Sequence, residues 1–316
     1  MTILVHAFSE KTYPQVIAGG KALQELIGGD LIATVIGHGV EELAEKVAKL
    51  SGSKVYLVDK PELEIYNPEA YARVLIEIAK EVGAKIILLE SDIKGKILAG
   101  ILSGKLECGA INDVIEFEKR GDKIIYKRVT YAGRAVAEEE TTGESLVISV
   151  NPGAFKPVEE SGGGEVVKKD IILEDLKVVV EEYKPKEVAG EMRLEDAEVV
   201  VGAGRGIRKQ EDLEMIKELA KVLGGSWGVT RPLAADYGWA PIWIGISGVP
   251  IRPKLYIAVG ISGQPQHTSG IRDSKIIVAI NKDPDAPIFQ FADYGIVGDA
   301  YQIVPELVKK LKELKG

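Results

Sequence analysis

One cysteine, three histidines and an aromatic content of 6% limit the chemistry open to this chain of 316 residues. Cys108 stands alone, which excludes a disulfide within the chain and any cysteine-held metal or iron–sulfur cluster. His6, His38 and His267 lie too far apart in sequence to form a local metal motif. No run reaches the roughly 18 apolar residues that a membrane helix needs, so no direct membrane insertion is expected. The opening MTILVHAFSE has neither the basic start nor the long apolar stretch of a secretory signal, and a cytoplasmic, reducing home is expected. Positive charge is scarce: 40 Lys and Arg against 48 Asp and Glu leave a net −8, which argues against a nucleic-acid partner. The acidic run Glu138-Glu139-Glu140 reads as a solvated face. What remains, 46% hydrophobic and 28% charged, is the composition of a globular protein long enough for about two domains with full cores.

The first ninety residues alternate short apolar runs with helical patterns. ILVHAF (3–8), DLIATVIG (30–37), KVYLVD (54–59) and KIILLE (85–90) read as strands buried on both faces. The clearest helix starts at Asn67-Pro68-Glu69, with Asn67 as cap, Pro68 at the first helical position and Gly83 as the stop. Strand–helix alternation of this kind means a parallel sheet with helices on its faces. From 109 to 183 the pattern changes to alternating segments broken at Arg120-Gly121-Asp122 and Thr142-Gly143-Glu144, which read as antiparallel hairpins added to one sheet edge. Ser161-Gly162-Gly163-Gly164 is the most linker-like stretch, and KVVVEEY (177–183) is expected to return as a strand to the first sheet. A domain boundary is placed in the polar segment 184–198. Beyond it the α/β rhythm restarts, with strands expected at 197–204, 226–230, 255–260, 275–281 and 294–299. Helices are marked by Leu213, Ile216, Leu219, Ala220 and Leu223, and by Val304, Leu307, Val308 and Leu311. The fold class is therefore α/β with two domains, the second doubly wound.

Four strand ends of the second half carry small or polar residues suited to a nucleotide, at the edge where a doubly wound sheet binds ligands. They are Gly202-Ala203-Gly204-Arg205-Gly206, Gly260-Ile261-Ser262-Gly263-Gln264-Pro265-Gln266-His267, Asn281-Lys282-Asp283 and Gly298-Asp299. The first fails the G-x-G-x-x-G fingerprint, because Ile207 stands where the third glycine belongs. Tight turns alone would explain its glycines, and Arg205 is either a surface arginine or a fork reaching a phosphate. Gly260, Ser262 and Gly263 would let backbone N–H groups approach an anion. His267 fits a structural role or a ligand contact, and Asn281 and Asp299 fit turns or an adenosine. From residues alone, the chain is an α/β nucleotide-binding protein.

The segments VVVGAGRGI, GVTRPLAADYGW, KLYIAVGISG and QHTSGIRDSKIIVAINKDPDAPIFQFADYGIVGD resemble the FAD domain of electron-transfer flavoprotein α subunits. A looser match runs through KIILLESDIKGKILAGILSGKLECGAINDVI and NPGAF. The resemblance implies an N-terminal α/β domain, 1–189, that contacts a β subunit, and an FAD-binding domain, 190–316. It implies that Arg205 pairs with the pyrophosphate or flavin region. Thr230 and Arg231 would lie beside the isoalloxazine, with Arg231 opposing negative charge on the reduced ring. Ile244, Gly245, Ile246 and Ser247 would follow the ring, Ser247 bonding flavin N5; Ile246 stands where the family usually has glutamine. Ser262, Gly263, Gln264, Pro265 and Gln266 would wrap the phosphates and ring edge, and His267 would donate to the N1/O2 side. Asn281, Asp299 and Ala300 would hold the adenosine half. The implied function is electron carriage as a heterodimer, between flavin dehydrogenases and a membrane or soluble acceptor. The alternative is an electron-bifurcating complex that oxidises NADH and reduces ferredoxin plus a quinone or enoyl-CoA acceptor. Two rivals differ in class: a dehydrogenase with its own substrate, for which His267 is the sole proton-handling candidate, and a regulatory nucleotide-binding protein.

Overall fold

A computed structural model describes residues 1–182 and 193–315, which divide into two compact units, Met1–Tyr183 and Lys184–Gly316. The boundary expected between 189 and 190 lies outside the described residues. In the first unit, β1 (Thr2–His6), β2 (Asp30–Gly37), β3 (Lys54–Asp59) and β4 (Ala84–Glu90) form the parallel centre of a sheet. Successive side chains of β1 enter opposite cores. Ile3 and Val5 pack under α1 (Tyr13–Ile27) and α2 (Glu41–Ser51), while Leu4 packs under α3 (Pro68–Val82) and α4 (Ile93–Leu106). The helix signal at Asn67 is realised atom by atom. Its Oδ1 accepts from Glu69 N at 2.9 Å and Ala70 N at 3.2 Å, and Gly83 closes the helix at φ 62°.

The later half of this unit departs from expectation in three places. β5 (Gly109–Arg120) and β6 (Lys123–Thr130) do form a hairpin across Gly121, and β7 (Ala135–Glu139) extends it. The acidic run there is a cross-strand ladder: Glu138 pairs with Arg120, Glu139 with Arg128 and Glu140 with Lys123. However, Thr142-Gly143-Glu144 is a crossover and no hairpin turn. It carries the chain to β8 (Leu146–Val150), which inserts between β4 and β5 in parallel with both. Every residue of β8 is buried, and such a strand has to be central.

Ser161–Gly164 links no domains. Ser161 N and Gly162 N bond the Lys49 carbonyl, and the chain enters β9 (Glu165–Lys168), which pairs with β3 at the opposite sheet edge. β9 therefore takes the place expected for 177–183. Residues 177–182 are no strand: Val178 and Val179 are 50% and 75% exposed, and the segment is held by Asn67 Nδ2 on the Val178 carbonyl at 2.8 Å. A valine run outside a sheet buries too little area to recruit a ladder. The sheet order is β7-β6-β5-β8-β4-β1-β2-β3-β9.

In the second unit β10 (Val199–Ala203), β11 (Ser226–Val229), β12 (Leu255–Val259), β13 (Ile276–Asn281) and β14 (Tyr294–Val297) are all parallel, in the order β11-β10-β12-β13-β14. α5 (Leu213–Leu223) and α7 (Ala300–Lys315) cover one face through Ile216, Leu219, Val304 and Val308. α6 (Pro265–Ile271) and the segment 244–251 cover the other. The order reverses between β10 and β12, and a doubly wound sheet binds its ligand at the strand ends beside such a reversal. Among the described residues no helix is long and apolar enough to cross a membrane.

Candidate functional site

The glycines after β10 and β12 exist for each other. Gly204 N bonds the Val259 carbonyl and Gly206 N the Gly260 carbonyl, each at 2.9 Å. A Cβ on Gly204 would stand 2.4 Å from the Gly260 oxygen, and one on Gly206 would stand 2.7 Å from Gly260 Cα. Two loops thus meet backbone to backbone at the switch point, which only glycine permits. Ile207, at the failed fingerprint position, is 1% exposed and packs into the core under α5.

Around this contact opens a cavity of about 530 Å³. All the residues that the resemblance assigns to FAD line it except Ile246, Gly263 and Pro265. Ile246 is 55% exposed, Gly263 is packed against the Ile288 backbone, and Pro265 starts α6. Lys282 and Asp283, from the third of the candidate strand ends, line it too, and so do six residues that the sequence did not single out: Arg208, Pro232, Trp243, Ile280, Ala286 and Pro287. Trp243 had a signal in its neighbours, because Gly248 is glycine for its sake: a Cβ there would meet the Trp243 carbonyl at 2.3 Å. Arg208 had none. Its position depends on Tyr301, whose ring lies 5.0 Å below the guanidinium and whose hydroxyl accepts from Arg208 N at 2.7 Å.

The electrostatics of the lining oppose those of the chain. Arg205, Arg208, Arg231 and Lys282 face Asp283 and Asp299, a local excess of cations in a protein of net −8. Arg208 pairs with Asp299 at 3.4 Å. Among the described residues, Arg205 and Arg231 have no carboxylate partner, and the Thr230 hydroxyl, on a residue 8% exposed, has no hydrogen-bond partner. Asn281 and Asp299 make their turns as well as lining the cavity. Asn281 Nδ2 donates to the Ile261 carbonyl at 2.8 Å, and Asp299 Oδ1 accepts from Tyr301 N at 3.0 Å.

The segment 244–249 is fastened at several points. Ile244 N bonds the Val229 carbonyl, Ile246 N the Gln266 carbonyl, and Gly245 N the Val249 carbonyl. Gly245 adopts φ 146°, and Gly270 of α6 lets the helix approach it, since a Cβ on Gly270 would lie 2.6 Å from Gly245 Cα. Ser247 Oγ accepts from Trp243 Nε1 at 3.2 Å and keeps its own hydrogen for a ligand. His267 is 7% exposed. Its Nδ1 meets the Ile244 carbonyl at 3.1 Å, and its Nε2 meets the Tyr256 hydroxyl at 2.9 Å. A carbonyl only accepts, so the ring proton sits on Nδ1 and Nε2 accepts from Tyr256. Burial holds the imidazole neutral, with its pKa lowered to about 4 against the opposing Ile244 hydrogen bond. The donation to a ligand expected of His267 therefore has no free N–H behind it.

Comparison with known proteins gives this geometry a family. The model described as electron transfer flavoprotein domain matches residues 11–173, and that described as electron transfer flavoprotein FAD-binding domain matches residues 193–272. The electron transfer flavoprotein subunit alpha of Bacillus subtilis is 34% identical over 303 residues, covering 95% of this chain and 92% of its own length. That of Thermoanaerobacterium thermosaccharolyticum is 36% identical over 310 residues, 95% of this chain and 93% of its own. Protein FixB of Azotobacter vinelandii is 33% identical over 316 residues, 96% of this chain and 87% of its own.

FAD fits what the cavity offers. The lining runs across all five strand ends, from Thr230 past β11 to Asp299 past β14. Four interstrand steps at roughly 4.8 Å make that path about 19 Å long, suited to an extended dinucleotide. Unpartnered guanidinium groups suit its pyrophosphate, and hydroxyls at Thr230, Ser247 and Ser262 suit its heterocycle and phosphates. With both of its units matched and its full-length relatives sharing a third of its residues, the chain belongs to the electron transfer flavoprotein α-subunit family and binds FAD.

Proposed function

We propose that the chain is the FAD-carrying half of a heterodimer with an electron transfer flavoprotein β subunit, taking electrons from flavin dehydrogenases and passing them to a membrane or soluble acceptor. The observation that carries this reading is a cavity rich in uncommitted cations and donors whose single histidine is neutral and bonded on both nitrogens. A dehydrogenase with its own substrate needs a group near the flavin that moves substrate protons, and His267 is not free for that work. Bound FAD supplies reversible one- and two-electron chemistry.

The residues of the chain orient and tune it. Thr230, Arg231, Ile244, Gly245 and Ser247 form the end assigned to the isoalloxazine. There the Arg231 guanidinium opposes the negative charge that accumulates on reduction and favours the reduced ring. Arg205, Ser262, Gln264 and Gln266 receive the pyrophosphate at the β10/β12 reversal. Asn281, Asp299 and Ala300 receive the adenosine.

Co-expression with the β subunit tests this. One FAD per heterodimer, reduced by a flavin dehydrogenase and not by NADH alone, is the expected result. Two flavins per heterodimer with direct reduction by NADH would move the reading to a bifurcating complex. A colourless heterodimer would end both.

A further inference from the structure

We infer that Tyr256 is a positioning residue for the flavin end of the cavity: its hydroxyl anchors Nε2 of His267, and the ring so anchored holds the Ile244 carbonyl, and the 245–247 turn behind it, through Nδ1–H. That the turn serves the flavin rests on the function proposed above; the hydrogen-bond relay does not.

Tyr256 sits in β12 with 0% exposure, in the core beneath α6, and does not line the cavity. Among the described residues its hydroxyl has one hydrogen-bond partner, His267 Nε2. A phenylalanine would fill the same apolar space, and a buried hydroxyl left unpaired costs about 1–3 kcal/mol. The neighbouring strand makes room for the hydroxyl specifically, because a Cβ on Gly202 would come within 2.0 Å of it. From Tyr256 the order passes through His267 to Ile244, whose own N–H is tied to β11 through the Val229 carbonyl. The next residues are the turn that presents Gly245 and Ser247 to the cavity. Removing the hydroxyl leaves Nε2 without a donor. The Ile244 carbonyl still keeps the proton on Nδ1, but the ring has lost its second anchor and can swing, which loosens the Nδ1–H bond that holds the turn.

Nitrogen-15 NMR of the His267 side chain in the full chain, free of FAD and with FAD, tests the relay. In the wild-type chain at neutral pH the expected signature is a protonated Nδ1 and an unprotonated Nε2. Tyr256→Phe should keep the proton on Nδ1, broaden the ring signals as the ring gains motion, and bind FAD about tenfold more weakly, the cost of one lost buried hydrogen bond. A wild-type ring protonated on Nε2 overturns the proposal, and needs no variant to fold. So does a Tyr256→Phe chain with ring signals as sharp as the wild type's and unchanged FAD affinity, which would leave Tyr256 as packing alone. Failure of the FAD reading shows differently, as no flavin bound by either protein while the tautomer signature persists.

Discussion

In the first unit strand order reverses between β1 and β4, and in the second between β10 and β12, so each parallel sheet has a place where a crevice can form. The second sheet keeps its crevice and lines it with glycine backbone and uncommitted arginines. The first fills its own. Beyond β1, the rings of His6, Phe8, Tyr13, Tyr66 and Tyr71 pack with centroids 4.9 to 6.4 Å apart, under Lys94 at 5.3 Å from Tyr66. The backbone donors there are taken by carboxylates of the chain itself. Glu90 accepts from Phe8 N at 3.1 Å and from the Thr12 hydroxyl at 2.8 Å, and Asp59 accepts from Gly39 N and Val40 N at 2.9 and 2.8 Å. Cavities of about 210 and 490 Å³ in this unit lie at the start of the strands, the end opposite to the usual ligand crevice. Topology therefore places a possible site, and side chains decide whether it is one.

The largest effect should come from adding one methyl group to a glycine loop past a strand of each sheet. Gly204→Ala forces its Cβ against the Gly260 oxygen and Ile261 Cα, both backbone, so the loops must separate. Overpacking of 1–3 kcal/mol falls directly on the ligand path, and FAD affinity should drop on the order of 100-fold in a fluorescence titration. Gly39→Ala, past β2 in the first unit, meets nothing within 4 Å and carries only the strain of φ 66°. It should cost about 1 kcal/mol of stability and leave FAD affinity unchanged. Equal loss of FAD in both variants would remove the distinction between the two sheets.

Acid should strike the two units alike. His6 is 1% exposed, and burial lowers its pKa to about 4, as it does for His267. Both histidines have native values below the unfolded value of 6.5, so the unfolded chain binds the extra protons. Stability is fully present above 6.5, falls as pH drops from 6.5 to about 4, and levels off below. The loss is at most about 3 kcal/mol per histidine. Denaturant titrations of the FAD-free chain at pH 7 and pH 4.5 check this. His6→Phe should flatten the pH dependence of the first unit and leave that of the second.

Much of this contrast could be read from the sequence, and the unread part has physical causes. Strands β1 to β4 and β10 to β13 announced themselves by apolar runs such as KVYLVD and LYIAV, which are buried on both faces, whereas β14 is an exposed edge strand marked only by its apolar residues. β9 was hidden: EVVK is too short to signal, while the longer KVVVEE has the composition of a strand and lies exposed outside any sheet. Glycine clusters located the site, since glycine is needed where loops touch. Arg208 stayed invisible because Tyr301, almost a hundred residues later, fixes it. His267 could be placed and its chemistry could not, because that depends on a tyrosine one strand away.

A smaller effect is expected from opening the closed crevice. Phe8→Ala removes a half-buried ring that packs on His6 and Tyr66, and should destabilise the first unit by about 2 kcal/mol. FAD content should not change. Adenosine phosphates should still fail to bind there in equilibrium dialysis, because the Glu90 and Asp59 carboxylates remain on the donors that an anion would use. Nucleotide binding by this variant would mean that the aromatic plug alone separates the two crevices.

The smallest effect belongs to the ion pair at the far end of the open crevice. Arg208 and Asp299 are 66% and 38% exposed and 3.4 Å apart, so their mutual attraction is worth at most about 1 kcal/mol. Asp299→Asn keeps an oxygen for Tyr301 N but loses the anionic acceptor, whereas Arg208→Ala loses a cation from the lining. Each should weaken FAD about threefold, and salt tells them apart. The Arg208 contribution acts through charge on the pyrophosphate and should fade as ionic strength rises toward 1 M, where the Debye length falls to about 3 Å. The Asp299 contribution, a hydrogen bond to adenosine, should persist there. If both fade together, Asp299 serves only to orient Arg208, and the adenosine end of the crevice is held by charge alone, as the pyrophosphate is.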